Sequence, residues 1–174
     1  GQTTTFNVNI QNNQIASVGD CQVETTLENI TSSVQISGRN NVGGVVGTDN
    51  GGYYKNVHYQ ILEADTSYLT GIYNVGGIAG ASRDGYFDTC SVMSYRFNYD
   101  ELANTFSGVH ADIIGEDFVG GIVGLATNSL TTSTLGAGDN SISATLVKNS
   151  SVNAYLESNG EGLNAIGGIM SLLE

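Results

Sequence analysis

Four segments of this chain spell nearly the same apolar heptad. Residues 41–47 read NVGGVVG, 74–80 NVGGIAG, 118–124 FVGGIVG and 165–171 AIGGIMS. Aligned on the paired glycines, the copies begin at Val42, Val75, Val119 and Ile166, which lie 33, 44 and 47 residues apart. The repeated positions are Val42, Gly43, Gly44 and Gly47; Val75, Gly76, Gly77 and Gly80; Val119, Gly120, Gly121 and Gly124; and Ile166, Gly167 and Gly168. A fixed internal motif at such intervals is the signature of a repeat architecture.

A second segment follows the heptads. It reads Val18-Gly-Asp-Cys21-Gln-Val23, Tyr54-Lys-Asn-Val57-His-Tyr59, Phe87-Asp-Thr-Cys90-Ser-Val92 and Val147-Lys-Asn-Ser150-Ser-Val152. Val42 to Tyr54 and Val75 to Phe87 are both 12 residues, whereas Val119 to Val147 is 28. The units therefore run over about 14–47, 48–80, 81–124 and 141–171, with insertions in the third and fourth. Each holds strand-like alternation, as in Val34-Gln35-Ile36-Ser37, and a glycine-split apolar piece. Glycine at a recurrent position permits positive φ or close backbone approach. One unit of this size cannot bury its apolar face alone, but stacked units can. The expectation is an all-β chain, 1–174 as one repeat domain, folded as a right-handed parallel β-helix (β-solenoid) of about four irregular coils. A less regular β-sandwich is the alternative.

The paired segments, Gly85-Tyr86-Phe87-Asp88-Thr89-Cys90-Ser91-Val92 followed by the V-G-G-I-V-G heptads, resemble the GLUG repeat. That family occurs in bacterial cell-surface, adhesin-like proteins and in non-catalytic regions of immunoglobulin A-specific metallopeptidases. The resemblance covers about four units. It departs at Ser171, where the heptad ends without glycine, and at Ser150, which replaces Cys. It implies an extracellular or cell-surface location and a piece of a larger bacterial protein. The start at Gly1-Gln2 without Met is what a processed or trimmed segment would show.

Composition fits strands and turns. Only 13% of residues are charged, against about 25% in an average domain, and there is neither Pro nor Trp. Seventeen acids against five bases give a net charge of −12. That balance excludes binding of nucleic-acid phosphates, which needs clustered cations, and disfavours anionic membranes. No apolar run reaches the roughly 20 residues of a membrane-inserted helix.

Catalytic patterns are missing. There are two histidines. His58 sits in an alternating strand and is expected to face solvent; His110 lies in the third-unit insertion. No H-E-x-x-H, nucleophile elbow, P-loop or dinucleotide fingerprint occurs, so the chain is expected not to be an enzyme. No cofactor is implied, although calcium is possible. Asp49 and Asn50 (in GTDNGG), and Asp139 and Asn140 (in GAGDN), form oxygen-rich loops that read either as Asn/Asp/Gly turns or as weak calcium sites. Cys21 and Cys90 fall on one repeat position, two strands apart. At about 4.8 Å per strand they would be roughly 10 Å apart, beyond disulfide reach, so both are expected to be buried free thiols.

The stretch 93–117, MSYRFNYDELANTFSGVHADIIGED, carries the candidate contact site. Tyr95, Phe97 and Tyr99 alternate with polar residues and would share one strand face beside Asp100 and Glu101. Such a face either packs on the flank of the coils or stacks on sugar rings. The Thr/Ser-rich stretch 125–146 reads as a surface loop. The expected function is a non-enzymatic surface module presenting loops to a glycan or extracellular protein partner. A purely structural stalk and a carbohydrate-active β-helix enzyme are the alternatives. Uncapped coil ends predict weak self-association.

Overall fold

A computed structural model describes the backbone of residues 2–5, 8–11, 14–18, 22–62, 68–95, 99–100, 105–106, 111–127, 145–162 and 165–173, and side chains within 26–62, 68–95, 111–127, 145–162 and 165–171. The protein is all-β, with no helix among the described residues.

Four parallel sheets carry the fold, each built of one contribution from each of four successive tiers. Sheet I contains Gln22–Ser32, Tyr53–Ile61, Tyr86–Asp88 with Ser91–Ser94, and Leu146–Lys148 with Ser151–Asn153. Sheet II contains Ile36–Ser37, Leu69–Thr70, Ile113–Gly115 and Leu156–Ser158. Sheet III contains Asn40–Gly43, Tyr73–Gly76, Asp117–Gly120 and Ile166–Gly167. Sheet IV contains Val46–Asn50, Ala79–Arg83, Val123–Thr127 and Met170–Leu173. The chain visits sheets I, II, III and IV in that order and then begins the next tier. Among the described residues, antiparallel pairing is confined to Gln2–Thr5 with residues 22–25, the hairpin Val8–Gln11 with Gln14–Val18, and Tyr99–Asp100 with Thr105–Phe106.

The register explains the repeated heptad. Val42, Val75, Val119 and Ile166 stand in line across sheet III. Each inner position of one tier packs on the same position of the next, so an apolar residue must recur there. The 12-residue spacing has the same origin. Leu27, Tyr54, Phe87 and Val147 form a second line, and the buried Tyr54 and Phe87 rings stack with centroids 4.6 Å apart and planes 6° from parallel. Offset or edge packing of such rings adds to area burial.

This second line corrects the expected repeat alignment. The first-tier copy is Leu27-Glu28-Asn29-Ile30-Thr31-Ser32, paired residue for residue with Tyr54–Tyr59, and not Val18–Val23. Ile30, rather than Cys21, shares the position of Val57. Both stretches have apolar residues at the first and fourth places. Only the later one puts Asn at the third place, where Asn29, Asn56, Thr89 and Asn149 all take left-handed backbone with φ of 55°, 54°, 57° and 49°. Asn tolerates that conformation better than most residues.

The same device opens the heptads. Asn41, Asn74 and Phe118 have φ of 53°, 55° and 56°. Amides bridge the tiers at both corners, Asn56 Nδ2 donating to Asn29 Oδ1 and Asn74 Nδ2 to Asn41 Oδ1, each at 2.7 Å. The paired glycines themselves serve close approach: among the described glycines only Gly51 has positive φ. Thr89 is the poorest fit in the corner line, because a β-branched residue is strained at positive φ. Thr89→Asn is expected to raise stability by about 1 kcal/mol, read as a higher urea midpoint at unchanged slope.

Burial is the main cause that pushes the Tyr54 and Tyr59 phenols well above the ordinary tyrosine value; the Asp49 carboxylate adds to it at Tyr54, and Tyr68 and Asp112 at Tyr59. The folded state therefore holds both protons more tightly than the unfolded chain does. Their contribution is complete below the unfolded value of about 10 and is lost as pH rises above it. Unfolding monitored above that pH is expected to coincide with the appearance of tyrosinate absorbance from these two rings.

Candidate functional site

Side chains on the outer face of sheet I form rows, because outward positions alternate with the core and repeat in every tier. The first row is Thr26, Tyr53, Tyr86 and Leu146. Tyr53 and Tyr86 lean together with ring centroids 5.1 Å apart, and Leu146 is 49% exposed. The second row alternates in charge: Glu28, Lys55, Asp88, Lys148. The chain has only two lysines, and both stand here. Opposite charges alternate on neighbouring strands, an arrangement that solvent screens at such an exposed face. Asp88 is held below the ordinary carboxylate range, first by the amide of Asn149, which donates to Oδ1 at 3.0 Å, and also by Thr89, Lys148 and Lys55. The corner residues Asn29, Asn56, Thr89 and Asn149 follow, and then Thr31, His58, Ser91 and Ser151.

The face ends in apolar residues again. Tyr95 is 57% exposed and Leu62 43% exposed. They are neighbours, since Ser94 pairs with Ile61 and Tyr95 N donates to Ile61 O at 2.8 Å. Tyr155, 43% exposed, stands two residues beyond the Met93–Asn153 pair. Thus a polar strip of charged, amide and hydroxyl groups lies between the row of half-buried Tyr53 and Tyr86 with exposed Leu146 and the exposed pair Leu62 and Tyr95.

The expected site in 93–117 is only partly visible. Tyr95 is exposed at the end of Ser91–Ser94, whereas Tyr99 and Asp100 belong to a separate antiparallel pair. Phe97 and Glu101 lie outside the described residues, as do the side chains of Tyr99 and Asp100, so the shared aromatic face does too. What the fold does locate is the corner from which the insertion springs. Between sheets I and II, three residues separate Ser32 from Ile36 and Val152 from Leu156; nine separate Tyr59 from Leu69, and twenty separate Val92 from Ile113. The second tier thus carries an insertion that the 33-residue interval concealed. It shares one corner with the third-tier insertion, beside the exposed Leu62 and Tyr95.

Asp49 turns into the core. It stands in line with Ser82 and Ala126 and is buried. Its Oδ1 accepts from Gly52 N and from the Tyr54 hydroxyl, both at 2.8 Å, and its Oδ2 accepts from Ser82 Oγ at 2.7 Å. Thr145 closes the cluster, its hydroxyl donating to backbone oxygens of Ser82 or Thr127 at 3.2 and 3.1 Å. The carboxylate is thus a three-way acceptor that ties the turn 49–52 to the next tier. Asn50 is exposed beside it, and Asp139 and Asn140 lie outside the described residues. Among the described residues no three His, Cys, Asp or Glu side chains gather closely enough to hold a metal ion.

His58 stands on the outer face of sheet I. It is half-buried in its row, with Nδ1 2.7 Å from Ser91 Oγ and Nε2 2.8 Å from Asn56 Oδ1. It reinforces the corner, as cross-strand polar pairs do. His110 lies outside the described residues. Cys90 is a buried free thiol whose proton burial holds more tightly than usual, which makes it unreactive; Cys21 lies outside the described residues. Nothing in the sequence marked the sheet I face as special, because its rows become visible only once the tiers are in register. Compared with known proteins, the chain matches no family model, no curated protein and no solved structure.

Proposed function

We propose that this chain is a non-enzymatic, adhesin-like module of a bacterial cell-surface protein. On this reading the four tiers are coils of a right-handed parallel β-helix of GLUG-like repeats, and the outer face of sheet I binds a neutral glycan. Four parallel sheets visited in a constant order support the β-helix, and nearly all parallel crossovers are right-handed. The observation that carries the binding role is the pairing of the row Tyr53–Tyr86–Leu146, half-buried at its two rings and exposed at Leu146, with the exposed Leu62 and Tyr95, with a polar strip between them. Sugar rings present C–H faces edged by hydroxyls. The row and the exposed pair offer surface to stack on, and the strip offers carboxylate, amide and hydroxyl partners. A net charge of −12 favours neutral or basic ligands over anionic ones.

The test is binding of the intact chain to an array of neutral glycans and matrix proteins, with calcium and with chelator. Retention lost on Tyr95→Ala or Tyr86→Ser, with the circular dichroism spectrum preserved, is the expected result. Loss on replacing residues 96–101 by Gly/Ser, with no effect of Tyr86→Ser, would move the site into the insertion. Silence across the array would leave a structural stalk as the better reading.

A further inference from the structure

We infer that Ser91 is an activated nucleophile whose hydroxyl takes an acyl group from an aryl ester or thioester at the outer face of sheet I. The inference goes beyond glycan binding and does not rest on it. Four polar side chains from three tiers form one relay on this face. Ser91 Oγ lies 2.7 Å from His58 Nδ1, His58 Nε2 lies 2.8 Å from Asn56 Oδ1, and Asn56 Nδ2 donates to Asn29 Oδ1 at 2.7 Å.

The last bond sets the direction of the others. With its NH2 group turned to Asn29, Asn56 presents an oxygen to the ring, and an amide oxygen only accepts. Nε2 therefore carries the imidazole proton. Nδ1 is the bare nitrogen, and the Ser91 hydroxyl donates to it. A hydroxyl on a bare imidazole nitrogen, with the ring held from its far side by a third group, is the arrangement that activates a serine.

The fold places each member. Strand register sets Ser91 beside His58. The left-handed backbone of Asn56, φ 54°, turns the corner two residues before the ring it holds. Asn56, His58 and Ser91 are half-buried, while the row neighbours Thr31 and Ser151 are exposed, so a reactant has an open approach to the hydroxyl.

In the step itself, Ser91 Oγ attacks the carbonyl carbon of the donor as His58 Nδ1 takes the hydroxyl proton. The Oγ–C bond forms, the donor's C–O or C–S bond breaks, and the leaving alcohol or thiol carries the proton away from Nδ1. The acyl group stays on Ser91. Strand N–H groups lie in the plane of their sheet, so those of Ser91–Ser94 do not point at the developing oxyanion. That restricts the donors to esters with a good leaving group and leaves the product as a stable serine ester. The chain is then an acyl acceptor used once, which agrees with a module that has no turnover.

Treatment of the intact chain with p-nitrophenyl acetate, followed by peptide mass mapping, tests this. A single acetyl group is expected on Ser91, removable by hydroxylamine as an ester is and an acetyl-lysine amide is not. Ser91→Ala changes an outward side chain, so it should keep its circular dichroism spectrum and lose that acetyl group. His58→Gln should slow the reaction about a hundredfold. Asn56 is a positioning residue, read through two variants that both tolerate left-handed backbone. Asn56→Gly frees the ring and should slow acylation, whereas Asn56→Asp supplies a carboxylate that stabilises the imidazolium and should react faster than the parent. Acetyl groups confined to Lys55, Lys148 and the amino terminus, a His58→Gln chain as fast as the parent, or Asn56→Asp no faster than Asn56→Gly overturns the proposal.

Discussion

Gly77→Ala is expected to lower the melting temperature by roughly 10 °C, while Gly168→Ala leaves it nearly unchanged. Both are paired-glycine positions of the same heptad, and neither has positive φ. They differ only in what lies beside them. A Cβ on Gly77 would overlap the Gly121 carbonyl oxygen and Val92 Cγ2, whereas one on Gly168 meets nothing within 4 Å. The obstacle at Gly77 is backbone already fixed by hydrogen bonds, Gly77 N donating to Gly121 O at 3.1 Å and Gly44 N to Gly77 O at 3.2 Å. Neither partner can yield without shifting a tier. Overpacking of this kind costs about 3 kcal/mol, and each kcal/mol is worth about 2–4 °C in a chain of this size. Surface changes at open positions stay within about 0.5 kcal/mol. Calorimetry on the two variants distinguishes packing from propensity, since a mere glycine-to-alanine preference would act alike at both.

Asp49→Ala is expected to cost about 4 kcal/mol, and Asp49→Asn about half of that. Removing the carboxylate strands three donors in the interior: Gly52 N, the Tyr54 hydroxyl and Ser82 Oγ. A hydrogen bond to a charged acceptor is worth about 1.5–3 kcal/mol, and an unsatisfied buried donor carries its full desolvation cost. Asparagine keeps one acceptor oxygen and presents an NH2 group to the others. Neither change should depend on calcium: equal denaturation midpoints with calcium and with chelator are expected for the parent and for both variants. A calcium-dependent midpoint lost in Asp49→Ala would instead make Asp49 a ligand.

The lines across sheet III could be seen in the sequence because inner positions of stacked tiers select the same residue type, so Val42, Val75, Val119 and Ile166 betray one another. The 12-residue spacing to Tyr54 and Phe87 was visible for the same reason. Other features were hidden by ambiguity in the physics. Val18 and Cys21 have the same spacing as Leu27 and Ile30, and only the strand register decides between them. Asp49 sits in a Gly/Asn-rich stretch that reads as a solvated turn, because sequence does not tell which way a carboxylate points; its partner Ser82 is 33 residues away. Outward rows such as Tyr53–Tyr86 need the register first. A clue to the corners was present in the recurrent Asn of LENI, YKNV and LVKNS, since Asn is the common non-glycine choice for left-handed backbone.

The corner between sheets I and II accommodates three, nine, twenty and three residues in the four tiers, yet the lines on either side stay matched. Length variation is thereby uncoupled from the framework. Doubling a flexible loop costs only about 0.6 kcal/mol in closure entropy, so this corner can diversify under selection while the strands on either side of it are held to their pattern. Foreign peptides spliced between Leu62 and Tyr68 should be displayed without re-engineering the host, making the chain a scaffold whose variable element is decoupled from its constant one.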